Sequence, residues 1–435
     1  MYHYSLYTGS RTLNLQIPEK NLLYIAEHPY TAPALSEEAL FEESLDHPIG
    51  CKGLEDIPAD TKVLILVDDA TRPTPTGRII PHVVKRLLTR TSQISFATAP
   101  GTHRPLTHEE LKIKIGKDYI DRYPVYNVNY KEKEKYHYVT TSSAGTPVYL
   151  HECMLDAEYV ICIGNIAPHN VVGWSGGAKM IQPGISGEET TQKTHLNYSL
   201  HDRLLDIIGN VHCPARQEID EIGTLARVGF IINTVLDKNF HILGLFSGHH
   251  IKAHRAGVAF AENVLCPKIP EKADIVIAGA YPNHVDYWQG FKPLAFSLLG
   301  LKKGGTVIFI IDPPEGLCSN SPTHKETLYQ YLRSNQEQVI KDLKAKKISD
   351  VVGITNPLGH YQILEHANII CVTQNLTQEE CELCSFTKID TFSDALREAF
   401  RRQGANAKVG LIPCSGETVV KVQKSKPTHI PAAMP

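Results

Sequence analysis

Lys62-Val-Leu-Ile-Leu-Val67, then Asp68-Asp-Ala-Thr-Arg-Pro-Thr-Pro75, then the stretch from Gly77 to Leu88, give the chain its fold class. A near-continuous apolar run is the signature of a strand buried on both faces, the usual state of a strand in a parallel sheet. The aspartates and prolines end it. In 77–88, Ile79, Ile80, Val83, Val84, Leu87 and Leu88 fall at helical spacing. Strand, loop and amphipathic helix in direct succession form the unit of an α/β layer rather than of a barrel of hairpins. Similar runs follow at Gln93–Ala97, Glu158–Ile163, Phe230–Val235 and His241–Phe246. Beyond the proline-rich Cys266-Pro-Lys-Ile-Pro-Glu-Lys272 come Ala273–Ala278, Thr306–Ile311, Ile369–Thr373 and Lys408–Pro413, with a helix expected over Thr327–Lys344.

The 435 residues exceed what one core normally supports. Two α/β domains with mostly parallel sheets are expected, 1–268 and a smaller 273–405, with the active site in the cleft between them. A segment over 406–435 is expected to pack back on the first domain, its proline-rich end from 424 without regular structure. The composition, 42% hydrophobic and 21% charged, is that of a folded chain. A formal charge of −3 from 44 basic and 47 acidic side chains gives no field for gathering a polyanion, so neither nucleic acid nor an anionic membrane is an expected partner. The first residues lack a basic region followed by an apolar one, and no run reaches the length of a membrane span; a cytoplasmic setting is expected. The ten cysteines are scattered and read as reduced thiols. Cys381-Glu-Leu-Cys384 has no second ligand pair and is read as core.

Polar clusters stand where α/β sheets place ligands, after strands. In 68–75, Arg72 offers a guanidinium fork to a carboxylate or phosphate, oriented by Asp69; the plainer reading is a capped helix entry with a solvated arginine. Gly101-Thr-His103-Arg-Pro-Leu-Thr107 places an imidazole on a rigid turn, suited to proton transfer near neutral pH, although a lone loop histidine is as often a surface residue. The most specific cluster runs from His169 through Trp174-Ser175-Gly176-Gly177-Ala178-Lys179 to Gly184 and Gly187. Its glycines let backbone N–H groups approach an anion closely, yet the spacing is not that of a Walker loop. Lys179 in such a loop serves as a nucleophile or attachment point more readily than as a surface lysine. His195 follows on a stretch that reads as a helix, and a single imidazole ligand implies that a metal's other donors come from a cofactor. In Asp286-Tyr-Trp-Gln289-Gly-Phe-Lys292, Gln289 and Lys292 share a helix face and can grip a carboxylate together, or simply decorate a polar helix start. His249-His250-Ile-Lys-Ala-His254 contains an i,i+4 histidine pair that lacks a third zinc ligand of a different kind.

Taken together and in order, these segments resemble the nickel-pincer-dependent lactate racemase family. The resemblance runs from Asp68 to about Lys292, more loosely to Cys414-Ser-Gly-Glu417. It is carried by His103, His169, Lys179 and His195 at intervals of 66, 10 and 16 residues, within G-T-H-R-P and S-G-G-A-K. It implies a racemase or epimerase of a small 2-hydroxy acid. Lys179 would carry a sulfur-bearing pyridinium mononucleotide that holds nickel, and His195 would supply the metal's protein ligand. His103 and His169 would be the catalytic histidines. Cofactor contacts are then expected at Asp69, Thr71, Arg72, Ser175, Gly176 and Gly177, and substrate contacts at Arg72, Gln289 and Lys292. Cofactor-synthesis enzymes would be partners. Where the resemblance calls for a His-Asp pair after 123–128, this chain has Asn129-Tyr130.

The implied chemistry is consistent with what the residues can do. Two imidazoles are too weak to deprotonate an unactivated C2–H at neutral pH, whereas hydride transfer to a cofactor, coupled to movement of the hydroxyl proton, avoids that difficulty. The alternatives are a hydrolase using metal-bound water at His249, His250 and His254, a nicotinamide oxidoreductase, disfavoured by the missing G-x-G-x-x-G, and a non-catalytic nucleotide-binding protein in which His103 and His169 lie apart.

Overall fold

A computed structural model describes residues 1–28, 35–237, 239–319 and 321–423. Chain contacts divide it into two compact units, one of residues 29–265 and 317–362, the other of 1–28, 266–316 and 363–435.

The first unit is built on a six-stranded sheet in the order Ile242–Gly248, Val228–Leu236, Tyr159–Asn165, Val63–Asp68, Ile94–Ala99, Val125–Tyr126. All neighbours are parallel except Ile242–Gly248, which runs antiparallel to Val228–Leu236 at the edge. Val63–Asp68 is buried along its whole length, as its apolar run requires. Val63, Ile65 and Val67 face Ile79, Ile80, Val83, Val84 and Leu87 of the Thr76–Leu87 helix. Each such side chain contributes roughly 1.5–3 kcal/mol by leaving water. Leu64 and Leu66 face the other way, against Met180, Ile181, Ile185, Ile222 and Ala253. From Val63–Asp68 the chain adds Ile94–Ala99 on one side and later Tyr159–Asn165 on the other. The carboxyl ends of Val63–Asp68 and Tyr159–Asn165 therefore flank a topological switch point, where open α/β sheets hold ligands because the two following loops part there.

The other unit has a wholly parallel sheet in the order Thr387–Lys388, Asn368–Val372, Leu301–Ile310, Ala273–Gly279, Val409–Ile412, Leu22–Ile25. Ile275, Ile277, Ile308, Ile370 and Leu411 form its core with Leu396 and Ala399, joined by Leu6, Leu15 and Ile17 from the N-terminal hairpin.

The two units follow other limits than 1–268, 273–405 and 406–435. Residues 1–28 join the second sheet, where Asn21 donates to the carbonyls of Ala405 (3.0 Å) and Ala407 (2.9 Å) and Leu22–Ile25 closes an edge. Val409–Ile412 is an inner strand of that same sheet. Conversely, 317–362 belongs with the first unit: Tyr331, Val339, Ile354 and Leu358 cluster with Leu196 and Leu200 of the Glu188–His201 helix, and the Leu204 N–H donates to Gln362 Oε1 at 2.7 Å. The helix expected over Thr327–Lys344 is two, Pro322–Tyr331 and Gln336–Lys344, because the Asn335 side chain accepts from the Gln338 N–H at 2.9 Å and starts a new helix. The tail 424–435 lies outside the described residues. Among the described residues no helix is long and apolar enough to cross a membrane.

Candidate active site

The loop after Val63–Asp68 is tied down from below. Lys114, buried, donates to Asp68 Oδ1 at 2.6 Å and to the carbonyls of Arg72 (2.7 Å) and Thr74 (3.3 Å), and the Thr74 hydroxyl closes onto the other Asp68 oxygen. Burial pushes the Asp68 carboxyl above its ordinary range, with Lys114 and Thr74 opposing. Asp69 is buried too, which disfavours its anion, but His103, Arg72 and Thr71 outweigh that and hold it well below the usual carboxylate range. Its Oδ1 accepts from the Thr71 N–H (2.8 Å) and hydroxyl (2.5 Å), and its Oδ2 lies 3.3 Å from His103 Nδ1. An anionic Asp69 keeps the proton on Nδ1 and leaves the His103 lone pair on Nε2.

The loop after Tyr159–Asn165 carries the other half. His169 Nδ1 accepts from the Val171 N–H at 3.0 Å, so the ring proton sits on Nε2, which lies 2.8 Å from Lys179 Nζ. The two histidines are thus held in complementary states, His103 with a lone pair on Nε2 and His169 with a proton there. On the Glu188–His201 helix, His195 donates through Nδ1 to the Thr191 carbonyl (2.8 Å), leaving Nε2 as a free donor atom. Burial lowers the His195 pKa to about 4, the Lys179 and His324 charges adding to the effect, so the imidazole is neutral at pH 7.

Asp68, Asp69, Arg72, Ser175, Gly176 and Lys179 line one open cleft of roughly 470 Å3 at the switch point. His103 and His169 are each bonded to a residue of that lining, Asp69 and Lys179 respectively. Gln289 and Lys292 lie in the other unit, on the helix Tyr287–Ser297; Asp286 caps it by accepting from the Gln289 N–H at 2.8 Å, and Lys292 Nζ is 5.4 Å from the Phe296 ring centroid.

Several residues expected to contact the cofactor also shape the loops. Thr71 spends its N–H and hydroxyl on Asp69. The Ser175 hydroxyl donates to the Asn165 carbonyl (2.9 Å) and accepts from the Ala167 N–H (2.9 Å). The Gly177 N–H donates to Asn233 Oδ1 at 2.7 Å, and the Gly187 N–H to the Tyr149 carbonyl at 2.9 Å. Gly176 and Gly177 are required by their φ of 83° and 60°. A Cβ on Gly176 would stand 2.8 Å from Asn233 Oδ1.

The histidines at 249, 250 and 254 make no metal site. His254 Nε2 bonds the Ser175 carbonyl at 2.8 Å, and His250 Nε2 lies 3.2 Å from both the Asp220 carbonyl and the Thr224 hydroxyl. The metal-bound-water hydrolase reading therefore loses its ligands. Among the described residues the group with metal-ligand spacing is Glu38, Glu42 and His82 at the surface, where Arg86 already holds Glu42 at 2.8 Å. All ten cysteines are thiols, Cys381 and Cys384 buried. Sequence reasoning missed Lys114, Asn233, Arg216, Asp220 and Arg255; a charged residue within an amphipathic pattern, such as Arg216, was the available sign.

Fold and site define an α/β protein with an open cleft at a sheet switch point, lined by Lys179 and by Asp69, which contacts His103. Residues 8–204 match the lactate racemase N-terminal domain family and residues 269–420 the lactate racemase C-terminal domain family. The lactate racemase of Lactiplantibacillus plantarum is 27% identical over 417 residues, 94% of this chain and 98% of that protein. That of Thermoanaerobacterium thermosaccharolyticum is 25% identical over 397 residues, 89% and 91% of the two chains. In fold, the lactate racemase apoprotein from Thermoanaerobacterium thermosaccharolyticum superposes with a TM-score of 0.87 at 23% identity, covering 97% of this chain and 100% of that one. A Thermotoga maritima protein gives a TM-score of 0.68 at 19% identity, covering 91% and 100%. The chain belongs to the lactate racemase family and is an isomerase.

Proposed function

We propose that this protein racemises or epimerises a small 2-hydroxy acid by proton-coupled hydride transfer at C2, using a nickel-pincer mononucleotide attached to Lys179. The observation that carries the reading is the pairing of His103 with Asp69 and of His169 with Lys179 at the two loops bordering one cleft.

The residues present fit such a group. Lys179 offers a primary amine to the cleft, its Nζ 2.8 Å from His169 Nε2, and a primary amine is the nucleophile that such an attachment needs. His195 offers a neutral imidazole with its Nε2 lone pair available, the state a metal requires. Lys179 would hold the nucleotide and His195 the nickel. When bound, the group supplies an electron-poor carbon that can take hydride from C2 and return it.

What the chain's own residues do is bind, orient and move one proton. Arg72 pairs with the substrate carboxylate through its fork, and Gln289 and Lys292 enter the proposal as further carboxylate ligands on their chemistry alone. His103, its Nε2 unprotonated, accepts the hydroxyl proton of one enantiomer, which makes C2–H a better hydride donor. His169, charged as an imidazolium, would return a proton to the oxygen of the other and go back to the neutral ring. Asp69 holds the His103 ring in register and stabilises the imidazolium that forms. We place this chemistry in the cytoplasm, where ten reduced thiols are expected and where cofactor-synthesis enzymes would act on Lys179. The test is chiral chromatography of single-enantiomer lactate, malate, longer aliphatic and sugar 2-hydroxy acids incubated with protein co-expressed with those enzymes. Inversion at C2 of at least one acid is expected; inversion of none, with Lys179 fully modified, overturns the reading.

A further inference from the structure

Beneath the lysine loop lies a buried chain of charged groups that the reaction does not use directly. Arg216, fully buried on the helix Pro214–Leu225, donates through Nη1 to the carbonyls of Trp174 (3.2 Å) and Gly176 (3.0 Å). The carbonyl between them, that of Ser175, accepts from His254 Nε2 at 2.8 Å. Arg255 Nη1 lies 2.7 Å from His254 Nδ1, and a guanidinium can only donate, so the His254 proton is placed on Nε2 and directed at Ser175. Asp220 holds both arginines, Arg216 at 3.1 Å and Arg255 through its other oxygen. Three consecutive peptide carbonyls just before Lys179 are thus each pinned by a fixed donor.

A trans peptide points its N–H opposite to its C=O, so pinning these carbonyls also aims the three following N–H groups. Those of Ser175 and Gly177 meet internal acceptors, the Ala167 carbonyl at 2.8 Å and Asn233 Oδ1 at 2.7 Å. The middle one belongs to Gly176, which lines the cleft and has no N–H bond among the described residues' backbone contacts.

We propose that His254, set in its tautomer by Arg255 and Asp220 and seconded by Arg216, is a positioning residue that orients the Ser175–Gly176 peptide and with it the Lys179 amine for attachment of its covalent group. This rests on the reading of Lys179 as the attachment residue.

The test uses His254→Gln, which keeps an N–H donor, His254→Leu, which removes it at similar volume, and Arg255→Met, which frees the tautomer at a partly exposed side chain. Each full-length variant is co-expressed with the cofactor-synthesis enzymes, and the fraction of Lys179 carrying an adduct is read by peptide mapping beside the thermal midpoint. Loading is expected to be near wild type in His254→Gln and about tenfold lower in His254→Leu and Arg255→Met, the size typical of supporting-shell losses. In the unmodified proteins, deuterium uptake over 175–177 should rise in the same two variants and not in His254→Gln. Should His254→Leu fail to fold, Arg255→Met against His254→Gln decides alone. Wild-type loading and wild-type exchange in a folded His254→Leu, or in Arg255→Met, overturn the proposal. An unmodified Lys179 in active wild-type protein would overturn the functional reading instead, while the exchange measurement still decides the positioning.

Discussion

At the scale of single residues, the histidines divide by which ring nitrogen is engaged. His195 gives Nδ1 to the Thr191 carbonyl and keeps Nε2 for a ligand, whereas His103 and His169 differ in where the proton rests. His195→Ala should therefore lose nickel, measured by metal analysis of purified protein. His103→Ala and His169→Ala should keep nickel and lower turnover by about 10²–10⁴-fold, the usual worth of a positioned acid or base. Equal metal content in all three variants would remove His195 as the ligand. Peptide mapping of co-expressed protein should find the added mass on the Lys179 peptide, and Lys179→Ala should abolish it. These residues could be singled out as candidates in the sequence because the proposed chemistry demands particular side chains in a glycine-framed loop. The internal bonds of Thr71, Ser175 and Gly177 were not legible: a hydroxyl or N–H beside a glycine-rich loop gives no local sign of its partner, and here Asp69, Asn165 and Asn233 take them.

The elements that present the site owe their shape to a few local devices. Gly173 has φ of 70°, and a Cβ there would stand 1.9 Å from the Asn210 carbonyl oxygen. Gly173→Ala should cost about 1–3 kcal/mol through backbone strain, seen as a lower urea midpoint, and should disturb the neighbouring His169 more than His103. Asn335 is exposed and acts as a helix cap. Asn335→Ala should cost about 1 kcal/mol with no loss of adduct at Lys179; a stability change near zero would show that the break at 332–335 does not depend on the cap. The strands and the Thr76–Leu87 helix were readable because apolar spacing of 3.6, or a solid apolar run, is written within a dozen residues. The break inside 327–344 was not, because Asn335 in that pattern reads equally as a tolerated helix residue.

For the molecule as a whole, burial sets the response to acid. His151, His195, His250 and His254, all in the first unit, have pKa values lowered chiefly by burial, His195 to about 4 and His254 well below the ordinary value. Between the unfolded value of about 6.5 and the lowered ones, the unfolded chain binds more protons, so stability is full above about pH 6.5 and falls as pH drops towards 4. Urea denaturation of the metal-free protein at pH 7.5 and 5 should show the loss; equal midpoints would mean these imidazoles are protonated in the fold. The reaction itself is read from the migrating atom: a substrate deuterated at C2 should give product enantiomer that retains most of its label in ordinary water, whereas proton abstraction by an imidazole would wash it out. The α/β class and the choice of Lys179, His103, His169 and His195 as candidate site residues follow from the amino-acid sequence, because periodicity and reactive side chains are local properties. That residues 1–28 complete the second sheet, that 317–362 pack on the Glu188–His201 helix, and that Arg216 and His254 pin the lysine loop were decided by tertiary structure. Those choices depend on which edge is left open and which carbonyl lacks a donor once distant segments have met, and no local spacing in the chain records that.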